Sequence, residues 1–288
     1  MASKGEDYKK LLKDLNDPDW NIRAKAVFNL KNYDDQVILD ALFKKLDDEN
    51  VNVWLSTVRV LKEKKDKRLV NKLINALIED NRDEVRWHSA YFLGEIGNQI
   101  PSIKPIINAL KDECAEVRLN AAKALGKIGN KKAIDALISS LDDKDPIVRK
   151  EAIISLNILS PLNNVEGLMK SLKDEDKRVR SLAAILIGKA GSEKSIDGLI
   201  NTLSDDDCVV RVSAVYALDK IGGEKVIKPL IKALKDPYWE VRSDAAAALG
   251  KLEDDRAVVP LLDVLKDENK YVIKSASKAL EKFSIFKK

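Results

Sequence analysis

Apolar and polar positions along the chain fall into two alternating blocks, and the pair of blocks returns every 31 or 32 residues from one end to the other. The clearest marker is a Val-Arg or Ile-Arg pair. It runs from Ile22-Arg23 through Val85-Arg86, Val117-Arg118, Val148-Arg149, Val179-Arg180 and Val210-Arg211 to Val241-Arg242. Val53-Trp54 and Val272-Ile273 hold the same place with the Arg replaced. Counted from the Arg, a Leu or Ile stands eight before it, an Asp six before, a small residue three after and a Leu or Ile seven after. Apolar and small residues at one before, three, seven and ten after share one face of a helix of 3.6-residue period. Upstream, segments such as Ala133 to Ile138 predict a shorter amphipathic helix, and Pro105, Pro229 and Pro260 stand near the start of three of these. Pro is harmless there, because the first helical N–H has no partner to lose. Gly94 with Gly97, Gly126 with Gly129 and Gly188 with Gly191 read as closing the longer helix.

Each repeat is therefore helix, Asp-containing turn, helix, Gly-containing turn. Self-similarity at this period predicts an all-α, right-handed α-solenoid of about nine two-helix repeats. The boundaries read as 6-34, 35-65, 66-97, 98-129, 130-160, 161-191, 192-222, 223-253 and 254-286, within one domain spanning 1-288. At ~10 Å per repeat such a stack is on the order of 90 Å long.

The stretch Asp236 to Lys251, read as Asp-Pro-x-x-x-Val-Arg-x-x-Ala-Ala-x-Ala-Leu-Gly-Lys, resembles the HEAT repeat, most closely the short form of the phycobilisome-lyase (bilin lyase) HEAT-like family. The resemblance extends from about residue 7 to residue 286. It implies that the repeated Arg and Asp form a ladder through the stack and that the second helices line a concave face. The physical chemistry of the residues is compatible with that role. A carboxylate at a helix start meets orphan N–H groups, and a guanidinium can fork between adjacent turns.

Composition narrows the chemistry. The chain has one histidine, His88, two cysteines, Cys114 and Cys208, and a net charge of +4 over 288 residues. A single His builds no multi-His metal site, and no Cys-x-x-Cys, phosphate-loop or nucleophile motif is present. No catalytic, cofactor or metal site is expected, nor a small-molecule substrate. Lys outnumbers Arg about three to one, and most of the Arg belongs to the repeat, so the strong basic bias of a dedicated nucleic-acid binder is missing. Sparse cysteines in equivalent turns three repeats apart, too far to join, and the lack of a long apolar run lead to an expectation of a cytoplasmic protein without membrane contact.

The informative surface is the outer face of the Val-Arg helices, where residues one, five, eight, nine and twelve after the Arg are expected to point away from the core. Trp87 with Tyr91 and Val212 with Tyr216 are i,i+4 pairs there, with Ile154, Ile158 and Ile185 between them. Lys127, Lys189, Lys220 and Lys251 follow nine after the Arg. Two readings are open: an apolar groove for a protein or peptide segment, rimmed by Lys189, Lys220 and Lys251, or packing between curved neighbours. Trp20 and Tyr238-Trp239 are expected to staple turns onto the adjacent repeat, and the apolar end Phe283, Ile285, Phe286 either folds back or makes a further contact. The expected function is a non-enzymatic scaffold or adaptor for another protein. The alternatives are tetrapyrrole handling of the bilin-lyase type, which the resemblance implies, and nucleic-acid binding.

Overall fold

A computed structural model of the protein describes residues 4–66, 68–160 and 165–283, and among them only helices, short 3-10 turns and loops occur. The chain divides into two compact units, Met1–Ala136 and Leu137–Lys288. The first unit pairs α1 (Lys4–Asp14) with α2 (Trp20–Leu30), α3 (Gln36–Lys44) with α4 (Val51–Glu63), α5 (Arg68–Glu79) with α6 (Asp83–Ile96), and α7 (Lys104–Ala109) with α8 (Ala115–Ile128). Helix α9 (Ile134–Ser139) follows, then α10 (Pro146–Leu159). The second unit continues with α11 (Val165–Ser171) and α12 (Lys177–Ala190), α13 (Ile196–Thr202) and α14 (Cys208–Ile221), α15 (Ile227–Ala233) and α16 (Trp239–Leu252), α17 (Val258–Val264) and α18 (Lys270–Leu280). Each unit is thus an α-solenoid of helix pairs, as the repeat pattern predicts.

The positions that define the repeat are the ones that build the core. Val53, Val85 and Val117 in the first unit and Val179, Val210 and Val241 in the second are all but inaccessible, and so are Leu61, Leu93, Leu218 and Leu249. Burying each such side chain contributes roughly 1.5–3 kcal/mol before conformational entropy is counted. Phe283 is also buried, so the last described residue folds back onto its unit. Ile285 and Phe286 lie outside the described residues.

The carboxylates divide into two sets, which the sequence pattern merges. Helix capping belongs to the residue four before the Arg: Asp19, Asn50, Asp145, Asp176, Asp207 and Asn269 each accept the N–H two residues on. The Asp six before the Arg does not cap. It accepts the backbone N–H of the residue two further on, as Asp236 does from Tyr238 at 2.8 Å, and so ties the turn.

Its other partner is the Arg of the preceding repeat. Arg149 places Nε and Nη2 on the two oxygens of Asp174, both at 2.7 Å, while Nη1 donates to the carbonyl of Asp143 at 2.7 Å. Arg180 with Asp205, Arg211 with Asp236 and Arg242 with Asp267 repeat this geometry, as do Arg23 with Asp48 and Arg86 with Asp112 in the first unit. One guanidinium therefore joins two successive turns, which only its planar fork permits.

Trp54 interrupts the series and is completely buried. Asp80, the carboxylate it would have met, is held instead by Arg82, with Nε and Nη2 each at 2.9 Å. The Nη1 of Arg82 reaches back to the carbonyls of Asp48 at 2.7 Å and Glu49 at 3.1 Å. Those correspond to the two turn carbonyls that Arg23 and Arg86 take in their own repeats. The rung is intact but supplied from the following turn.

Glycine does two jobs where the sequence suggested one. Gly97, Gly129 and Gly191 end their helices at φ of +69°, +77° and +67°, where a side chain is strained. Gly94 and Gly188 lie inside the helix. A Cβ on Gly94 would stand 2.8 Å from the Cα of Ala124, and one on Gly188 2.5 Å from that of Ala217. The eighth position after the Arg is therefore the seam between adjacent second helices rather than an outward one. Lys62 and Asp219 occupy it in α4 and α14, and these helices pack less extensively on their successors than α6 or α12 does.

Candidate partner-binding face

On the first unit the face is carried by α6. Trp87 is half-buried and stacks on His88, while Tyr91 keeps 37% of its surface exposed and meets Phe92 edge-on at 5.3 Å. The Nζ of Lys127 lies 5.4 Å from the Tyr91 ring centre and also pairs with Glu95. His88 sits beside the buried Trp54 and its Nδ1 is 2.6 Å from the carbonyl of Glu84. Burial holds its pKa below the ordinary imidazole value, and Arg59 adds to the effect. A partly buried histidine bonded to its own helix is a packing residue.

On the second unit the face runs over α10, α12, α14 and α16. Ile158 is 56% exposed, while Ile154, Ile185, Val212 and Tyr216 are half-buried. Part of each of these four packs on neighbouring helices and part reaches solvent, because a side chain one or five after the Arg leans over the seam. Where the residue one after the Arg is serine, the seam also carries a polar contact: Ser181 meets Ser213 at 2.8 Å and Ser243 meets Ser275 at 2.9 Å. Lys189, Lys220 and Lys251 are all exposed in the last turn of their helices, where the helix dipole favours a cation. Their partners differ. Lys251 binds Asp219 at 2.6 Å, Lys220 lies 5.5 Å from the Tyr216 ring centre, and neither Lys220 nor Lys189 meets a carboxylate among the described residues.

Exposed apolar residues also occur before the Arg, on alternate second helices of this unit, with Arg178 and Glu240 at the same position between them. Ile147, Val209 and Tyr271 stand two before the Arg position and are 51%, 57% and 51% exposed. Tyr238 in the neighbouring turn is 44% exposed, while Trp239 stacks on Tyr271 of the next repeat at 5.2 Å. The turn staple expected of the pair is therefore made by Trp239. Trp20, like Tyr238, keeps over a third of its surface exposed. The position two before the Arg alternates Ile147, Arg178, Val209, Glu240 and Tyr271, and such a mixed column in the opening turn of a helix announces no face.

The cavities add no chemistry. A cleft of about 1020 Å3 between α11 and α13 is lined by Met169, Leu172, Gly198, Asn201, Asp174 and Asp205, and Asp174 and Asp205 are already bound by Arg149 and Arg180. Both cysteines are free thiols, and burial raises the pKa of Cys114. Among the described residues no group of three His, Cys, Asp or Glu side chains is arranged to hold a metal ion, and no helix is long and apolar enough to cross a membrane.

Comparison with known proteins bears on the fold. The YibA protein of E. coli is 26% identical, with a TM-score of 0.59 over 88% of this chain and 94% of its own. The structure of Kap95p bound to RanGDP superposes with a TM-score of 0.69 at 16% identity, over 96% of this chain and 45% of that one. The CpcE–CpcF phycocyanin lyase complex of Nostoc sp. PCC7120 matches less closely, with a TM-score of 0.45 at 23% identity over 73% of this chain and 93% of that one. No curated protein matches in sequence. The profile described as HEAT repeats matches residues 39–105, 103–161, 165–250 and 227–284, and the chain belongs to the HEAT-repeat family.

Proposed function

We propose that this protein is a non-enzymatic scaffold that holds a segment of another protein on the outer face of its second helices. Trp87 and Tyr91 serve on the first unit. Ile154, Ile158, Ile185, Val212 and Tyr216 serve on the second, beside Lys189, Lys220 and Lys251. The observation that carries this reading is the partial exposure of large apolar side chains on consecutive second helices. The polar side chains that repeat with the period are consumed by the ladder, so they are not free for chemistry. Aromatic and branched anchors left accessible on a rigid support are the usual core of a protein contact. Kap95p, a fold neighbour, has been solved with a protein bound, which accords with this use of the fold.

The test is capture from native-host lysate with the wild-type chain and a Tyr91→Glu/Ile185→Glu variant of matched melting temperature. A protein retained by wild type and lost by the variant supports the scaffold. Equal retention by both removes the face as the site. Visible absorbance in the purified chain, or co-purifying nucleic acid in place of protein, favours the tetrapyrrole or nucleic-acid alternative.

A further inference from the structure

The lysines nine after the Arg occupy equivalent places and differ in one respect. Lys127 has the carboxylate of Glu95 on the preceding second helix, and Lys251 has that of Asp219. For Lys189 the preceding helix α10 offers Asn157 and Ile158 at the corresponding positions. For Lys220 the helix α12 offers Gly188 and Lys189. The helix dipole accounts for a cation at the end of each helix, but not for the missing counter-charge in two adjacent repeats. The two unmatched lysines border the part of the face where Ile158, Ile185, Val212 and Tyr216 lie. Within α10, α12 and α14 the acids are Glu151, about two turns before Ile158, and Asp219, which precedes Lys220 in the chain and is bound to Lys251.

We infer that the segment held on the second unit is an acidic, apolar peptide, whose hydrophobic side chains contact Ile158, Ile185 and Tyr216 and whose carboxylates supply the counter-charges that Lys189 and Lys220 lack. This rests on the scaffold reading and names the chemistry of its partner. Lysines of adjacent repeats stand ~10 Å apart, close to the ~8–10 Å over which salt screens a charge. Carboxylates spaced along one peptide can meet both. A nucleic-acid strand carries a charge every ~3.4 Å, so two lysines set among isoleucine and tyrosine would neutralise little of it.

The experiment is fluorescence anisotropy of the full chain with labelled peptides of repeated Leu-Glu-Glu-Leu, Leu-Gln-Gln-Leu and Leu-Lys-Lys-Leu. The acidic peptide is expected to bind about tenfold or more tighter than the neutral one, with affinity falling as salt rises. Lys189→Glu/Lys220→Glu should remove that advantage, whereas Lys235→Glu/Lys266→Glu, an equal charge change on the first-helix side, should leave it. Equal binding of the acidic and neutral peptides, with Ile185→Glu blocking both, overturns the charge inference and leaves the scaffold reading standing. Acidic-peptide binding that Ile185→Glu and Tyr216→Ala do not touch removes both. No binding of the acidic peptide, or its displacement by an equal concentration of single-stranded oligothymidine, also overturns the inference.

Discussion

The rung at Arg149 and the rung at Trp54 do the same mechanical work with different parts. In the first, one guanidinium leaves the second helix of its own repeat, takes the carbonyl of its own turn and clasps Asp174 of the next. In the other, the helix position has gone to a fully buried tryptophan, and Arg82 reaches back from the following turn to Asp48 and Glu49 while holding Asp80. What the two share is a fork joining a turn carbonyl of one repeat to the carboxylate of the next, whichever repeat donates it. Moving the donor frees a core position for a large side chain, and Trp54 uses it to contact Phe92 and His88. The substitute is also wetter: the Arg82 side chain is 32% exposed against 7% for Arg149.

That difference ranks the expected losses. Trp54→Ala should cost the most, about 3–5 kcal/mol, because a fully packed indole leaves a cavity that its neighbours fill only in part. Arg149→Ala should follow at about 3 kcal/mol, since Asp174 is then left buried without its partner. Arg82→Ala should cost about 1–2 kcal/mol, as solvent reaches its carboxylate. Urea titration of each variant gives the order, and an Arg82→Ala loss equal to zero would show that the substitute rung is ornamental. Introducing Trp54→Arg into the Arg82→Ala background sharpens the comparison. If the roles are equivalent, the new guanidinium recovers part of the Arg82 loss when set against Trp54→Arg alone, which a double-mutant cycle measures.

The seam makes a second prediction of similar size. Gly188→Ala should destabilise by about 1–3 kcal/mol, because its Cβ would meet the backbone of Ala217 at 2.5 Å and the helices must separate. A substitution to Ala at Asn157, which holds the same position in α10, should be nearly neutral. Melting of the two variants side by side distinguishes a packing glycine from a merely helical one.

Acid supplies the smallest effect. Asp80 is held below the ordinary carboxylate range chiefly by its bond from Arg82, against the opposing effect of burial. For Asp48 burial is the largest influence and pushes upward, but the bonds from Arg23 and Asn50 outweigh it. Groups depressed in the folded state contribute stability that is present above their unfolded pKa, near 4. That contribution is lost as pH falls through the folded value. Unfolding midpoints should therefore fall below about pH 4, beneath a smaller decline that begins near pH 6.5, where the unfolded His88 takes up a proton that the half-buried folded imidazole resists. Arg82→Ala should make the fall shallower by removing the larger part of the Asp80 contribution.

Much of this is legible in the sequence. The period, the two helices per repeat and the Val, Ala and Leu of the core follow from positions that recur, and recurrence is visible in one dimension. The Arg–Asp connection was implied by resemblance to a family and then found rung by rung. The Trp54 exception is visible as a missing Arg, but its replacement is not, because Arg82 stands in the column that elsewhere caps the helix and not in the column of ladder arginines. The pattern predicts that the residues one and five after the Arg point outward, whereas Ile185, Val212 and Tyr216 are only half-accessible. An exposed face on one helix becomes a partly shared face once the next repeat is laid against it.

The sequence by itself determined the repeat, its helices, its core and the residue types available for binding, since each depends on periodicity and on chemistry within a single turn or helix. Tertiary structure alone decided which glycines separate helices and which end them, which arginine serves which carboxylate, and which lysines are left without a counter-charge. Those are properties of side chains from different repeats brought within a few ångströms, and no column of one sequence records such distances.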